Sequence, residues 1–132
     1  MSSILENVGN TPMVQLNKIG KAEELEIASL RADGTLRKSV TIWVVRLGDD
    51  LYVRPMYGRA SVWFRSTQVR HAGHIQAGGV DKDVTFVDES DPDLNNQIDD
   101  AYWTKYRLYC ASDVGPVVSP ESKAATLKLL PR

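Results

Sequence analysis

Hydrophobic and polar positions alternate most clearly between Thr41 and Arg59. In the first run Thr41, Trp43 and Val45 fall on one face, Ile42, Val44 and Arg46 on the other. In the second, Leu51, Val53 and Pro55 oppose Tyr52, Arg54 and Met56. Gly48-Asp49-Asp50 between them carries turn residues, so the pattern predicts a β-hairpin. A glycine and a basic residue, Gly58-Arg59, follow the second strand, and a helix is expected from about Ala60 to Arg70 with one aromatic face inward. Earlier, Thr11-Pro12 reads as a helix start, with Met13, Leu16 and Ile19 at helical spacing and Gly20 as a stop. Residues 23–30 alternate as a half-exposed strand, and Asp33-Gly34 marks a loop.

Beyond the helix, His71 to Gly79 reads as a strand, Gly78-Gly79 as a hairpin turn and Val80 to Val87 as the return strand. Asp91-Pro92 opens the longest helix, with Leu94, Ile98, Ala101, Tyr102, Lys105 and Leu108 on one stripe. Val114 to Val118 reads as a loop and Ser119-Pro120-Glu121 as a helical turn. Thr126 to Leu130 reads as a closing strand stopped by Pro131. About six short strands joined as hairpins, with some three helices and no βαβ alternation, predict a mainly β (β+α) protein. A small antiparallel barrel suits such strands because closure removes exposed edges. Residues 1–20 form a leader and short helix in this reading, and residues 21–132 the barrel domain.

Composition narrows the function classes. The chain of 132 residues has 42% hydrophobic and 25% charged residues, enough for one core and not for two. No apolar run is long enough to span a bilayer, and no signal peptide is expected at the start. Cys110 is the only cysteine, which fits a reducing, cytoplasmic home; it is expected to be packed rather than nucleophilic. Charge is unevenly spread. Residues 31–70 hold eight Lys or Arg (31, 37, 38, 46, 54, 59, 65, 70) against three acids (33, 49, 50). A basic pocket for an anionic ligand is one reading and solvated faces the other. A nucleic-acid surface is disfavoured by the net charge of −1 and the lack of a binding motif.

Arg37, Lys38, Arg54 and Arg59 are the candidate anion ligands, since their donors suit phosphate and carboxylate. Arg54 and Arg59 flank the strand-to-helix junction at Pro55 to Gly58 and are expected to hold the anion there, unless they pair with the acidic segment. Trp43, Tyr57 and Trp63 are candidates to stack on a flat ring, with core packing as the alternative. His71 and His74 lie on opposite faces of a strand, so no metal site is expected. No residue is assigned as catalytic.

One resemblance adds to this reading. It runs from Arg31-x-Asp33-Gly34-x-x-Arg37-Lys38 through Trp43, Tyr57-Gly58-Arg59 and Trp63-Phe64-Arg65 to His71-x-Gly73 and Ala77-Gly78-Gly79-Val80. It ends at Ser119-Pro120-Glu121 and Pro131-Arg132. This stretch, about residues 22–132, resembles a bacterial family known as a domain of unknown function. That family looks like a branch of the flavin-binding split-barrel group, which includes pyridoxamine-phosphate-oxidase-like and deazaflavin-dependent proteins. The resemblance implies a six-stranded antiparallel split β-barrel with flanking helices, a homodimer, and a site for FMN or a deazaflavin. It implies a cofactor site of Arg37, Lys38, Thr41, Trp43, Arg54, Met56, Tyr57, Gly58, Arg59 and Trp63, with Gly34 to Ser39 similar to the basic turn of the deazaflavin-dependent relatives. Arg54 and Tyr57 depart from the small residues of those relatives; they either bind phosphate or fill the slot. A cofactor-free anion-binding or assembly module, or a cofactor-independent enzyme on a small metabolite, therefore stays open. Separately, Gly9 to Gly20 is similar to the amino-terminal segment of pyridoxal-phosphate-dependent cysteine synthases. The match stops there, the chain lacks their Schiff-base lysine motif, and no pyridoxal chemistry is carried over.

Overall fold

The computed structural model describes residues 12–131, with side chains described from residue 15. Readings placed on residues 1–11 and on Arg132 lie outside the described residues. The element order is α1 (Pro12–Lys21), β1 (Leu25–Ser29), β2 (Val40–Ile42), β3 (Val45–Leu47), β4 (Asp50–Val53) and α2 (Val62–Arg70). Then come β5 (Ala72–Ala77), β6 (Val80–Asp88), α3 (Pro92–Lys105), α4 (Ala111–Val114), α5 (Pro120–Lys123) and β7 (Leu127–Pro131). Short 3₁₀ turns precede α2 and follow α4, at Gly58–Ala60 and Gly115–Val118.

The strands form a seven-stranded sheet in the order β2-β1-β5-β6-β7-β4-β3, with every neighbouring pair antiparallel. β2 and β3 are the two outer strands, yet only Trp43 and Val44 separate them in the chain. Two residues cannot cross a flat sheet. The sheet must therefore curl until its edges meet at residues 43–44, which makes it a split barrel. Here the expected count of six strands becomes seven. The long alternating strand read from Thr41 to Arg46 is cut at Trp43-Val44, so that its first part serves one edge and its second part the other.

The period-2 pattern separates two apolar layers. Leu51 and Val53 of β4 point inward with Leu25, Ile27, Val44, Ile75, Phe86, Leu127 and Leu129, and Phe64 of α2 and Ile19 of α1 close this interior. Tyr52, between Leu51 and Val53, points outward with Val45 and packs under α3 against Ile98, Tyr102 and Tyr106. β1 is more buried than the half-exposed strand expected, because it lies between β2 and β5 and α2 packs against it.

Local signals account for the turns and caps. Gly78 and Gly79 both have positive φ (57° and 80°) and join Ala77 to Val80 in a two-residue turn that favours such residues. Asp91 caps α3 by accepting from Asp93 N at 3.0 Å, with Pro92 as the first helical residue. α3 stops at Lys105, so Leu108 lies past its end and is exposed rather than on the buried stripe. The stretch read as a loop at Val114 to Val118 is helical and buries Val114 and Val117. Cys110, expected to pack, is exposed at the start of α4. Pro131 ends β7 opposite Val84, beyond the register that β7 shares with β4, so its missing N–H costs no bond there.

Candidate functional site

A cavity among the described residues has a volume of about 680 Å³. It lies between β1, β2, the loop of residues 31–39, the segment after β4 and the first turns of α2. Eight of the ten residues singled out from the sequence line it: Arg37, Lys38, Thr41, Trp43, Arg54, Met56, Tyr57 and Trp63. Gly58 and Arg59 do not. Gly58 has φ +71° and sits so close to α5 that a Cβ would meet Glu121 O at 2.9 Å. The Arg59 guanidinium lies 5.4 Å from the centre of the Phe64 ring. The glycine at this junction thus serves close packing of α5 rather than backbone approach to the cavity.

Arg54, one of the expected pair of anion-holding arginines, is engaged within the protein. It is 2% exposed. Nε donates to Thr126 Oγ1 (2.9 Å), Nη1 to Asp99 Oδ1 (2.5 Å) and Val117 O (3.1 Å), and Nη2 to Asn95 O (3.0 Å) and Asn95 Oδ1 (2.9 Å). Every N–H of the guanidinium is taken. Asp99 also meets Lys123 Nζ at 2.7 Å. Arg54 thus borders the cavity but spends its donors tying β4 to α3 and to the start of β7, the acidic-segment pairing that the sequence left open.

The cations that remain are Arg37 and Lys38. Both are exposed on the loop before β2 and line the cavity. Neither side chain has a hydrogen-bond or ion-pair partner among the described residues. Their loop is braced from within. Arg31 Nη1 donates to Leu36 O at 2.9 Å and Thr35 Oγ1 donates to Asp33 Oδ1 at 2.7 Å, while Arg37 N donates to Ser29 O at 2.9 Å. Thr41 differs: its hydroxyl donates to Glu26, which Ser39 Oγ also reaches at 3.0 Å. Those two bonds, Thr41's the larger, hold the Glu26 carboxyl below its usual range.

Apolar walls come from Trp43, Ile42, Val40, Met56, Val62 and Trp63. Trp43 stacks on Tyr106 with ring centres 4.0 Å apart and planes within 7°. Tyr109 meets the same indole at 5.0 Å and 60°. Trp63 touches Phe64 edge-on at 6.5 Å, and Tyr57 is 78% exposed at the rim. Sequence reasoning missed Glu24, Ser61, Ser66, Thr67, Tyr109 and Val117 as cavity residues. The two β-hairpins and the α3 stripe hold no local signal for them. Tyr109 is held at the site by its ring contacts with Trp43 and Tyr106 and by its hydroxyl, which donates to Glu23, a bond that raises its phenol's pKa. His71 ends α2 in a left-handed conformation (φ 55°) and His74 faces Asp81 and Asp83 on the β5–β6 hairpin, so neither lines the cavity. Among the described residues no cluster of His, Cys, Asp or Glu is arranged to hold a metal ion.

A curled antiparallel sheet whose two edge strands, β2 and β3, are joined through Trp43 and Val44, with a cavity beside that junction and flanking helices, defines a split-barrel protein. The chain belongs to the bacterial family described as uncharacterized protein conserved in bacteria (DUF2255), which it matches over residues 15–129. No curated protein matches it significantly. Among solved structures it is similar to a putative pyridoxamine 5'-phosphate oxidase from Listeria innocua, with a TM-score of 0.65 at 12% identity over 92% of this chain and 93% of the other. It is also similar to the heme storage protein HutZ from Vibrio cholerae, with a TM-score of 0.66 at 12% identity over 88% and 86%. A third is an F420-H2 dependent reductase, at 0.59 and 12% over 81% and 93%. At such identities the likeness is one of fold. No helix among the described residues is long and apolar enough to cross a membrane.

Proposed function

We propose that the cavity binds a phosphorylated flavin- or deazaflavin-type cofactor, FMN or a relative of F420, and that the protein is a cytoplasmic oxidoreductase acting on a small organic substrate. The observation that carries this reading is the pairing of an open, largely apolar cavity of about 680 Å³ with two unpaired cations at its edge. That volume suits a small-molecule ligand. Trp43, Met56 and Trp63 supply apolar walls for a ring, and Arg37 and Lys38 supply the charge for a phosphate. When bound, such a group supplies hydride transfer. The chain's own part is to orient the ring, anchor the anion and keep bulk water from the walls.

The test is a titration of the purified protein with FMN and with F420, followed by visible absorbance and ligand fluorescence. Saturable binding is expected. Arg37→Ala with Lys38→Ala should weaken FMN by about a hundredfold or more, if each charge-assisted contact is worth about 1.5 kcal/mol, with the melting temperature unchanged. A protein that binds neither compound overturns the reading.

A second reading rests on the same two cations: a cofactor-free site for a small anion, which Arg37 and Lys38 would hold without a ring. Inorganic phosphate that binds as tightly as FMN favours it. The protein is further proposed to be a homodimer, with the exposed Leu36, Val40, Met56, Tyr57 and Val62 in the buried face. Light scattering should then give about twice the chain mass of 14.7 kDa; a monomer at micromolar concentration contradicts it.

A further inference from the structure

The cut between β2 and β3 leaves Val44 outside both strand ladders, and side chains from the end of α3 take its backbone groups. Val44 N donates to Tyr106 Oη at 3.1 Å, and Val44 O accepts from Lys105 Nζ at 2.5 Å. Tyr106 Oη donates in turn to Glu23 O at 2.7 Å, and Lys105 Nζ to Ala22 O at 2.6 Å. Tyr106 is 1% exposed, so its ring is fixed by packing as well as by its hydroxyl. Trp43, the neighbour of Val44, lays its indole flat on that fixed ring at 4.0 Å and 7°. One indole face is therefore covered, and Trp43 still lines the cavity. The other aromatic candidates lack this mounting. Trp63 has only an edge contact with Phe64, and Tyr57 stacks on no ring among the described residues. A surface immobilised before the ligand arrives loses little side-chain entropy on binding.

Building on the proposed function, we infer that Trp43 is the platform on which a planar, conjugated ligand ring stacks, with Tyr106 as the positioning residue behind it. The ligand class follows: a flat heteroaromatic ring is recognised in its own right, and the anion adds to it through Arg37 and Lys38. Ring compounds without a phosphate therefore bind, more weakly.

The test uses FMN, F420 and riboflavin, the last as a ring without phosphate, against wild type, Trp43→Leu, Trp43→Phe and Arg37→Ala. Trp43→Leu should weaken FMN and riboflavin by the same factor, about tenfold or more, as removal of a stacking aromatic does for flat rings. It should also restore the flavin emission that stacking on the indole quenches. Trp43→Phe keeps a smaller ring and should lose less. Arg37→Ala should weaken FMN and leave riboflavin unchanged, which separates the charge from the ring, while the return of flavin emission in Trp43→Leu is a signature that a purely structural role of Trp43 would not produce. Should Trp43→Leu fail to fold, Trp43→Phe carries the test through the same equal loss and partial return of emission. Binding of both probes by the Trp43 variants within twofold of wild type overturns the inference while the proposed function stands. A wild-type protein that binds none of the three compounds overturns both.

Discussion

Replacing Arg54 with alanine should unfold this protein more readily than it should disturb ligand binding. The guanidinium is 0% exposed and makes five side-chain hydrogen bonds, to Thr126, Asp99, Val117 and twice to Asn95. Breaking a buried pair from one side costs about 3–5 kcal/mol, because the partner groups stay behind without their bonds. Two features soften the loss. Asp99 keeps Lys123 at 2.7 Å, and Asn95 Oδ1 keeps a bond from Thr126 Oγ1 at 2.7 Å. The carbonyls of Val117 and Asn95 each lose the donor that Arg54 supplied, so about 3 kcal/mol is the expected cost. For a chain of this size about 3 °C is lost per kcal/mol, which gives a drop near 10 °C in melting temperature. Arg54→Lys should recover little, because an ammonium cannot reproduce the planar fork that spans Thr126, Asp99 and Asn95. The assay is urea and thermal denaturation followed by circular dichroism, with and without saturating FMN. Equal losses in both states are expected. If Arg54→Ala melts within about 2 °C of wild type and abolishes the increment that FMN provides, the arginine is an anion ligand and the reasoning from its buried bonds is wrong.

Gly73→Ala should be severely destabilising, by about 2–3 kcal/mol or more, since the new Cβ would stand 2.2 Å from Ala28 O and 2.9 Å from Phe86 Cζ; a urea midpoint equal to wild type contradicts the packing of β5 on β1. Asp91→Ala should cost about 1 kcal/mol through loss of the α3 cap, read as a lower urea midpoint with unchanged slope. His74 is held above its usual pKa chiefly by its hydrogen bond to Asp83 and then by that to Asp81. Its protonated form is thus favoured by folding, a contribution fully present below the unfolded value of about 6.5 and lost as pH rises through the higher folded value. His74→Gln should therefore lower stability at pH 5.5, by under about 1 kcal/mol for so exposed a pair, and leave it nearly unchanged at pH 8.5. The same loss at both pH values would mean the histidine contributes packing alone.

What the sequence determines here is local. Alternation at residues 51–53 and 80–87, glycines at 48, 78 and 79, and Asp91-Pro92 act within a few residues, and each appears in the fold close to where its chemistry places it. The basic turn at Arg37-Lys38 and Trp43 point to a cavity wall for the same reason: they lie within a few residues of β2, and Trp63 stands in the first turn of α2. The tertiary structure decides what depends on distant partners. Arg54 reads as a ligand-facing cation until α3 brings Asp99 and Asn95, 45 and 41 residues away, against it. Trp43 and Val44 read as the middle of one strand until barrel closure cuts that strand and Tyr106, 62 residues on, takes up the freed backbone groups. A periodic pattern records which face of an element meets apolar surface. It does not record which element provides that surface, and closing a sheet on itself is a condition on all seven strands at once.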